Sequence, residues 1–447
     1  MEDQLLCGAA VGDITPKDEE LGGLEALMRK KFGGILDPLH VRVIFLKNGV
    51  EQALFVCFEL DKAPYPGKYI KEISEEFQIP ETSIFMLAVH AHAVPITGDR
   101  IYDGPNNIDQ KPLEVVETTH AYEKRIHEVV MNTVRNALKQ LQPVSMKVST
   151  TESYINTDRR RTYIATDADG VRHEILGIGN EPLKEIDHTL TEISFQTKED
   201  RNLAVLLHYP VHCTIMHGNS AMYGKMGISA DLAGRTSTLV EKRFPGAVCM
   251  WISGAAGNIN PVMQCEMTYP DPESGRPMLE YLPGDMTGML RNLSNIHYKD
   301  VMEGLIRTDF TEDAPEPVHA VKLCQSEGKR EDYVVRLHMM KLGQLYFLSV
   351  SGELYSSYVE KLKERLKLSN LIVINHDCSN DYDSGYIPDV ETLKAEKVQL
   401  PGVGENMNMV PQKFEEALLR DAEVLYRMVN GLCTESDIQS ELASAIE

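Results

Sequence analysis

The 447-residue chain has no CxxC pair among its eight cysteines, no low-complexity linker, no block of like charge and no apolar run of membrane-spanning length. It also lacks any self-similar period, which argues against repeat architectures. Without a cysteine framework, thiols inside apolar stretches such as LFVCFEL (Leu54–Leu60) read as reduced core residues, the usual state in an intracellular compartment. Basic residues are in deficit, 45 Lys and Arg against 67 Asp and Glu, for a formal charge of −22. Such a surface repels phosphate backbones and anionic headgroups, so neither nucleic acid nor membrane insertion is expected. The opening MEDQLLCGAAVGDITP carries acids where a secretion signal carries bases, and Asp13 breaks its apolar run. The expectation is a cytoplasmic protein acting on a small-molecule substrate, with homo-oligomerisation left open.

What is present is an ordinary globular composition, 43% apolar and 25% charged, with ample material for a core. Length alone allows about three domains. No linker divides the chain, so one domain over residues 1–432 is expected, followed by a tail at 433–447.

Strand and helix patterns alternate, which predicts an α/β fold with a mixed β-sheet core flanked by helices. Leu39–Gly49 and Glu51–Leu60 predict a hairpin around Asn48–Gly49, and His120–Leu141 and Lys413–Asn430 carry amphipathic helical spacing. Met263–Asn295, with Pro, Gly, Met and Tyr intermixed, predicts a loop, either a substrate-facing lid or an insertion.

Chemistry gathers where apolar strands end. Ser83–Pro95, SIFMLAVHAHAVP, closes in His90 and His92, which would share one side of an extended strand. Leu203–Leu207 leads to His208 and His212; Ala247–Ile252 empties into SGAAGNINP (Ser253–Pro261), whose small residues let backbone N–H groups near Gly257 approach a ligand. Gln344–Val350 breaks at Ser351–Gly352–Glu353, and a polar loop holds Tyr382 and Tyr386. NTDRRR, with Arg159, Arg160 and Arg161, lies between strands, where one arginine turned inward would hold a carbonyl or anion. Ligands of open α/β folds collect outside strand ends, and two histidines with a carboxylate and an open position are the ligand type of hydrolytic zinc.

The order of GAAVGDITP, LAVHAHAVP, NTDRRR, PVHCTIM, GISADLAG, SGAAGNINP, SGE and GYIP resembles the neutral (non-lysosomal) ceramidase family through almost the whole chain. The resemblance implies a zinc ion held by His90, His212, Glu353 and Tyr386. It implies His92 as acid/base or carbonyl-binding group and an arginine, Arg160 or else Arg159, completing the pocket. One departure matters: where the family carries GDVSP with an essential serine, this chain has GNINP, with Asn258 in the aspartate's place and Asn260 in the serine's. Asparagine offers hydrogen bonds but no alkoxide. The family's secretion signal and C-terminal Ig-like domain have no counterpart, which argues against a long lipid amide as substrate. The implied activity is zinc-dependent hydrolysis of a small N-acyl amide by a metal-activated water. In it, Arg160, Asn260 and His92 serve catalysis, Gly257, Asn258 and Arg159 bind substrate, and Asp231 orients His212. An esterase or lactonase with the same site, or a non-catalytic metal- or ligand-binding relative, is the alternative.

Overall fold

The computed structural model describes residues 4–26, 30–98, 117–166, 169–270, 277–281, 284–327, 333–379, 385–395 and 410–433. The expected tail from 434 onward and Tyr382 lie outside these residues.

Three larger sheets form the frame. The first runs Ile84–Ala88, Glu51–Phe58, His40–Asn48, Leu6–Asp13 and Gln142–Pro143. The second runs Val248–Ser253, Asn202–Tyr209, Thr189–Gln196, Ser145–Glu152 and Phe310–Glu312. The third runs Pro317–Ser326, Tyr333–Leu342, Leu345–Val350 and Leu371–Ile374. Most neighbours are antiparallel, as the short connections between them allow: in the hairpin at Gly49 (φ +57°), Asn48 faces Glu51.

Each sheet nevertheless contains one parallel pair: Glu51–Phe58 with Ile84–Ala88, Asn202–Tyr209 with Val248–Ser253, and Leu345–Val350 with Leu371–Ile374. A parallel pair puts both carboxyl ends on one side and needs a crossover between its strands. The helices Pro66–Phe77, Asp231–Arg243 and Ser357–Leu366 supply those crossovers. Parallel pairing also buries both faces, which explains why LFVCF, LAVLL and LYFLSV are continuous apolar runs.

Burial follows the sheets. One cluster fills the space between the first and second sheets and the helices Glu117–Lys139, Asp231–Arg243 and Thr287–Leu305. Another lies between the third sheet and the helices Ser357–Leu366 and Phe414–Val429. Cys7, Cys57, Cys213, Cys249, Cys265 and Cys324 are buried thiols. Among the described residues, no helix is long and apolar enough to cross a membrane.

Two sequence expectations change here. Met263–Asn295 is not a loop: it holds a hairpin, Glu266–Pro270 with Pro277–Tyr281, and the first half of the helix Thr287–Leu305. Leu290, Leu293, His297 and Val301 do repeat at helical spacing and are buried, a signal obscured by the Pro and Gly that precede it. NTDRRR lies within a strand, Asn156–Thr166, with a bulge between Asp158 and Arg160. That strand pairs with both Ile259–Pro261 and Arg172–Glu181.

Candidate metal centre

The carboxyl ends of the three parallel pairs meet. Beyond the first pair stand Asp61, His90 and His92; beyond the second, His212 and the Gly254–Asn260 turn; beyond the third, Glu353 and His376. Backbone hydrogen bonds join these loops: Asn375 N–H donates to Ser253 O (2.9 Å), Gly257 N–H to Leu354 O (2.9 Å), His92 N–H to Cys213 O (3.3 Å) and Ala88 N–H to His376 O (3.3 Å). Side chains in this cluster are therefore placed by three sheets at once.

The strand expected to carry both histidines outward ends at Ala88, and His90 adopts a left-handed backbone with φ +57°. The alternation argument does not apply across such a residue. Tertiary contacts instead set the two rings edge to face, centroids 4.7 Å apart.

His90, His212 and Glu353 form a cluster whose ligand atoms all lie within 4.8 Å of one another, and all three residues are buried. His90 Nδ1 is 2.9 Å from Asp61 Oδ1 and 3.2 Å from the Asp61 carbonyl oxygen. Both are acceptors, so this nitrogen carries the proton. His212 Nδ1 likewise donates to Ile259 O at 3.0 Å. The remaining nitrogens, both Nε2, then present lone pairs toward Glu353 Oε2, at 3.6 Å from His90 and 2.9 Å from His212. Electron-rich groups hold such distances when a cation, proton or metal, lies between them.

The charges agree. Burial, and then Arg159, lowers the His212 pKa, so its imidazole is neutral. Burial alone would raise Glu353, but His90 and His212 outweigh it and hold the carboxyl well below its usual range. Burial likewise works to lower His90, yet Glu353 and Asp61 prevail and raise it, so the two carboxylates favour a positive charge at this ring, which either a proton or a metal cation supplies. Imidazole and carboxylate donors within one buried cluster fit a borderline divalent ion such as zinc, with Asp61 and the Ile259 carbonyl orienting the imidazoles.

His92 lies beside this group, its ring 6.2 Å from that of His212. Burial, reinforced by His217 and His90, keeps its pKa well below the ordinary value, so it is neutral. Its Nδ1 is 3.2 Å from His217 Nδ1, whereas Nε2 is a buried nitrogen without a hydrogen-bond partner among the described residues.

Tyr386 reaches the site because Tyr386–Ile387 pairs in parallel with Glu353–Leu354, opposing Tyr386 to Glu353. Its ring centroid is 6.2 Å from that of His212 and 4.9 Å from the Arg159 guanidinium carbon. Arg159, fully buried, donates from Nη2 to Gly257 O (2.8 Å) and from Nη1 to Asn260 Oδ1 (3.2 Å). Arg160 is buried too; its amide donates to Asp158 Oδ1 at 2.7 Å, and its strand partner is Ile178.

The GNINP residues are occupied internally. Asn258 accepts from Ser356 N–H (2.8 Å) and donates to Asp158 Oδ2 (2.7 Å), while Asn260 accepts from Arg159 and donates to Gln264. The Gly257 N–H, offered to a substrate on sequence grounds, goes to Leu354 O instead.

Three further placements differ from expectation or were not anticipated. Asp231 does not orient His212; its carboxylate accepts from Met216 and Leu232 N–H, both at 2.7 Å. His208 stays within its strand and bonds Val373 O at 2.9 Å. Asp61 and His376 escaped the sequence reading although both follow apolar strands, and His217 sits in the loop after His212.

By sequence the chain matches no protein-family model and no curated protein. Its structure does match solved ones. The neutral ceramidase from Pseudomonas aeruginosa superposes with a TM-score of 0.70 at 14% identity, covering 97% of this chain and 76% of that one. A ceramidase complexed with C2 gives 0.71, again at 14% identity with the same coverage. The fold is thus the neutral-ceramidase fold, a mixed α/β architecture as its sequence motifs led one to expect.

Proposed function

We propose that this protein is a zinc-dependent amidohydrolase that cleaves an N-acyl bond of a small molecule. The observation that carries the reading is the pair of buried Nε2 lone pairs, His90 and His212, aimed at the Glu353 carboxylate while each Nδ1–H is taken by a protein acceptor. His90, His212 and Glu353 would hold the ion, and Tyr386, the strand partner of Glu353, is the proposed fourth ligand. The ceramidase fold of two solved neighbours supports amide chemistry without naming the substrate. A bound zinc supplies a Lewis acid and lowers the pKa of water to about 7.

The chain's own groups do the rest. Asp61 and the Ile259 carbonyl hold the two imidazoles in one tautomer. Arg159, braced by Gly257 O and Asn260 and lying against Tyr386, contributes positive charge where the carbonyl oxygen becomes an oxyanion. Between the two arginines we assign this role to Arg159, leaving Arg160 and Asn258 as the surrounding pocket wall. His92, donating Nδ1–H to His217 Nδ1, keeps its Nε2 lone pair free to take a proton from the attacking water and hand it on to the leaving amine, returning to the neutral form. Asn260 acts through Arg159 and does not supply a nucleophile.

The test is elemental analysis of the purified protein followed by turnover of matched amide and ester panels, before and after chelation. One zinc per chain and amide cleavage lost on chelation and restored by zinc are expected, with His212→Ala losing both metal and turnover. Full turnover by metal-free protein would end this reading, and cleavage of esters alone would redirect it to an esterase.

A further inference from the structure

Between the second and third sheets lies a cavity of about 160 Å³ that none of the roles above uses. One wall is the strand Leu371–Ile374, the edge of the third sheet, with no strand beyond it among the described residues. Tyr346 N–H donates to Asn370 O (3.2 Å), so in this parallel register Ile372 and Ile374 turn their backbone groups toward Leu345–Val350. Leu371 and Val373 therefore turn theirs outward. His208, from the second sheet, takes one of these groups by donating from Nε2 to Val373 O at 2.9 Å. The Leu371 N–H and C=O remain a bare strand edge, the arrangement that pairs with an extended amide.

The opposite wall explains why the space stays open. In the second sheet Thr191 stands level with both Thr150 and His208, and Thr189 lies two residues earlier on the same face. Short threonines occupy positions where two closely packed sheets would interdigitate larger side chains. Phe310, Leu345 and Val359 complete the cavity with apolar surface. Such a volume suits one apolar side chain, since an apolar cavity of about 150 Å³ takes a molecule the size of benzene.

Through Asp187, Thr189, Ser356, Val359 and Lys363 the cavity adjoins an open cleft of about 600 Å³. Where they join, one charge of each sign is present. Asp187 accepts Thr189 N–H at 2.9 Å and forms no ion pair among the described residues. Lys363 meets Glu360 at 3.2 Å on its own helix, an exposed pair that holds it weakly. None of His90, His212 and Glu353 lines either space.

We propose that this inter-sheet cleft binds a zwitterionic, dipeptide-sized amide, extended along Leu371 with one apolar side chain in the cavity, its ammonium at Asp187 and its carboxylate at Lys363. The site is separate from the metal-type cluster and does not depend on the hydrolase reading.

The probe is L-alanyl-L-leucine, titrated by calorimetry at low salt into wild type and into His212→Ala, which tells the cleft apart from the metal cluster. Lys363→Gln removes the cation. Leu371→Pro removes an outward N–H from an edge strand, a position where proline is tolerated. Thr189→Trp fills the junction of cavity and cleft, and keeps the test decisive should Leu371→Pro fail to fold. Saturable one-to-one binding is expected in wild type and His212→Ala, roughly tenfold weaker in Lys363→Gln, about three- to tenfold weaker in folded Leu371→Pro, and lost in Thr189→Trp. Absence of saturable binding at millimolar probe overturns the proposal. So does binding that Thr189→Trp leaves intact, and so does binding lost in His212→Ala, which would put the dipeptide on the metal cluster.

Discussion

Gly257 lies so close to Glu353 that a Cβ on it would fall 2.4 Å from the Glu353 carbonyl oxygen and 2.6 Å from Tyr355 Cδ1. The glycine is needed for that approach, and its N–H bond to Leu354 fixes the register between the second and third sheets at the metal-type cluster. Gly257→Ala is therefore expected to push the Glu353 turn outward, with an overpacking cost of roughly 1–3 kcal/mol. Zinc affinity should fall together with thermal stability. Stability lost with zinc affinity intact would show that the Glu353 turn tolerates the displacement.

Asp61 offers its carboxylate to His90 Nδ1 at 2.9 Å. Asp61→Asn leaves the shape in place but replaces a charged acceptor with a neutral one, weakening the hold on the tautomer that aims Nε2 at Glu353. About 10–100-fold weaker zinc binding is expected, measured by competition with a chromogenic chelator. Unaltered affinity would mean that the Asp61 carbonyl, 3.2 Å away, suffices by itself.

His92 is assigned proton transfer and no share in holding the ion. His92→Gln should thus retain zinc while kcat drops by about 10²–10⁴. Metal analysis and steady-state kinetics on the same preparation decide it, since loss of zinc alongside activity would move His92 among the ligands.

Far from this pocket, Glu192 is fully buried, accepts from Thr151 Oγ1 (3.1 Å) and Ser149 Oγ (3.4 Å), and burial pushes its carboxyl up to about 8. The unfolded chain ionises near pH 4.3. The folded state accordingly prefers the protonated form, and its contribution is complete below about pH 4, shrinks as pH rises through that window, and is gone above about pH 8. Each pH unit in between is worth up to about 1.4 kcal/mol for one group. Glu192→Gln cannot ionise, so in urea unfolding it should gain on the wild type between pH 5 and pH 8. An equal stability gap at both pH values would rule out titration of this carboxyl there.

Much of the site could be read along the chain because buried strands are apolar and must end before polar groups begin. LAVHAHAVP, PVHC and SGE each mark such an end, and His90, His212 and Glu353 do converge. The left-handed backbone of His90 was invisible, since histidine has no preference that would announce it and neighbouring loops impose it. Asp61 and His376 also stand just past apolar strands, but nothing local separates them from the many acids and histidines that cap strands elsewhere. The acceptor that orients His212 is the Ile259 carbonyl, and a backbone oxygen leaves no mark in a sequence.

Sequence by itself determined which residues stand at strand ends and that those strands are buried on both faces, because hydrophobic runs and their polar interruptions are local properties. Only the tertiary structure decided that three separate parallel pairs point their carboxyl ends at one place. His212 and Glu353 are 141 residues apart yet 2.9 Å in contact. That distance is closed by strand pairing and sheet packing, which are long-range contacts that no local pattern specifies.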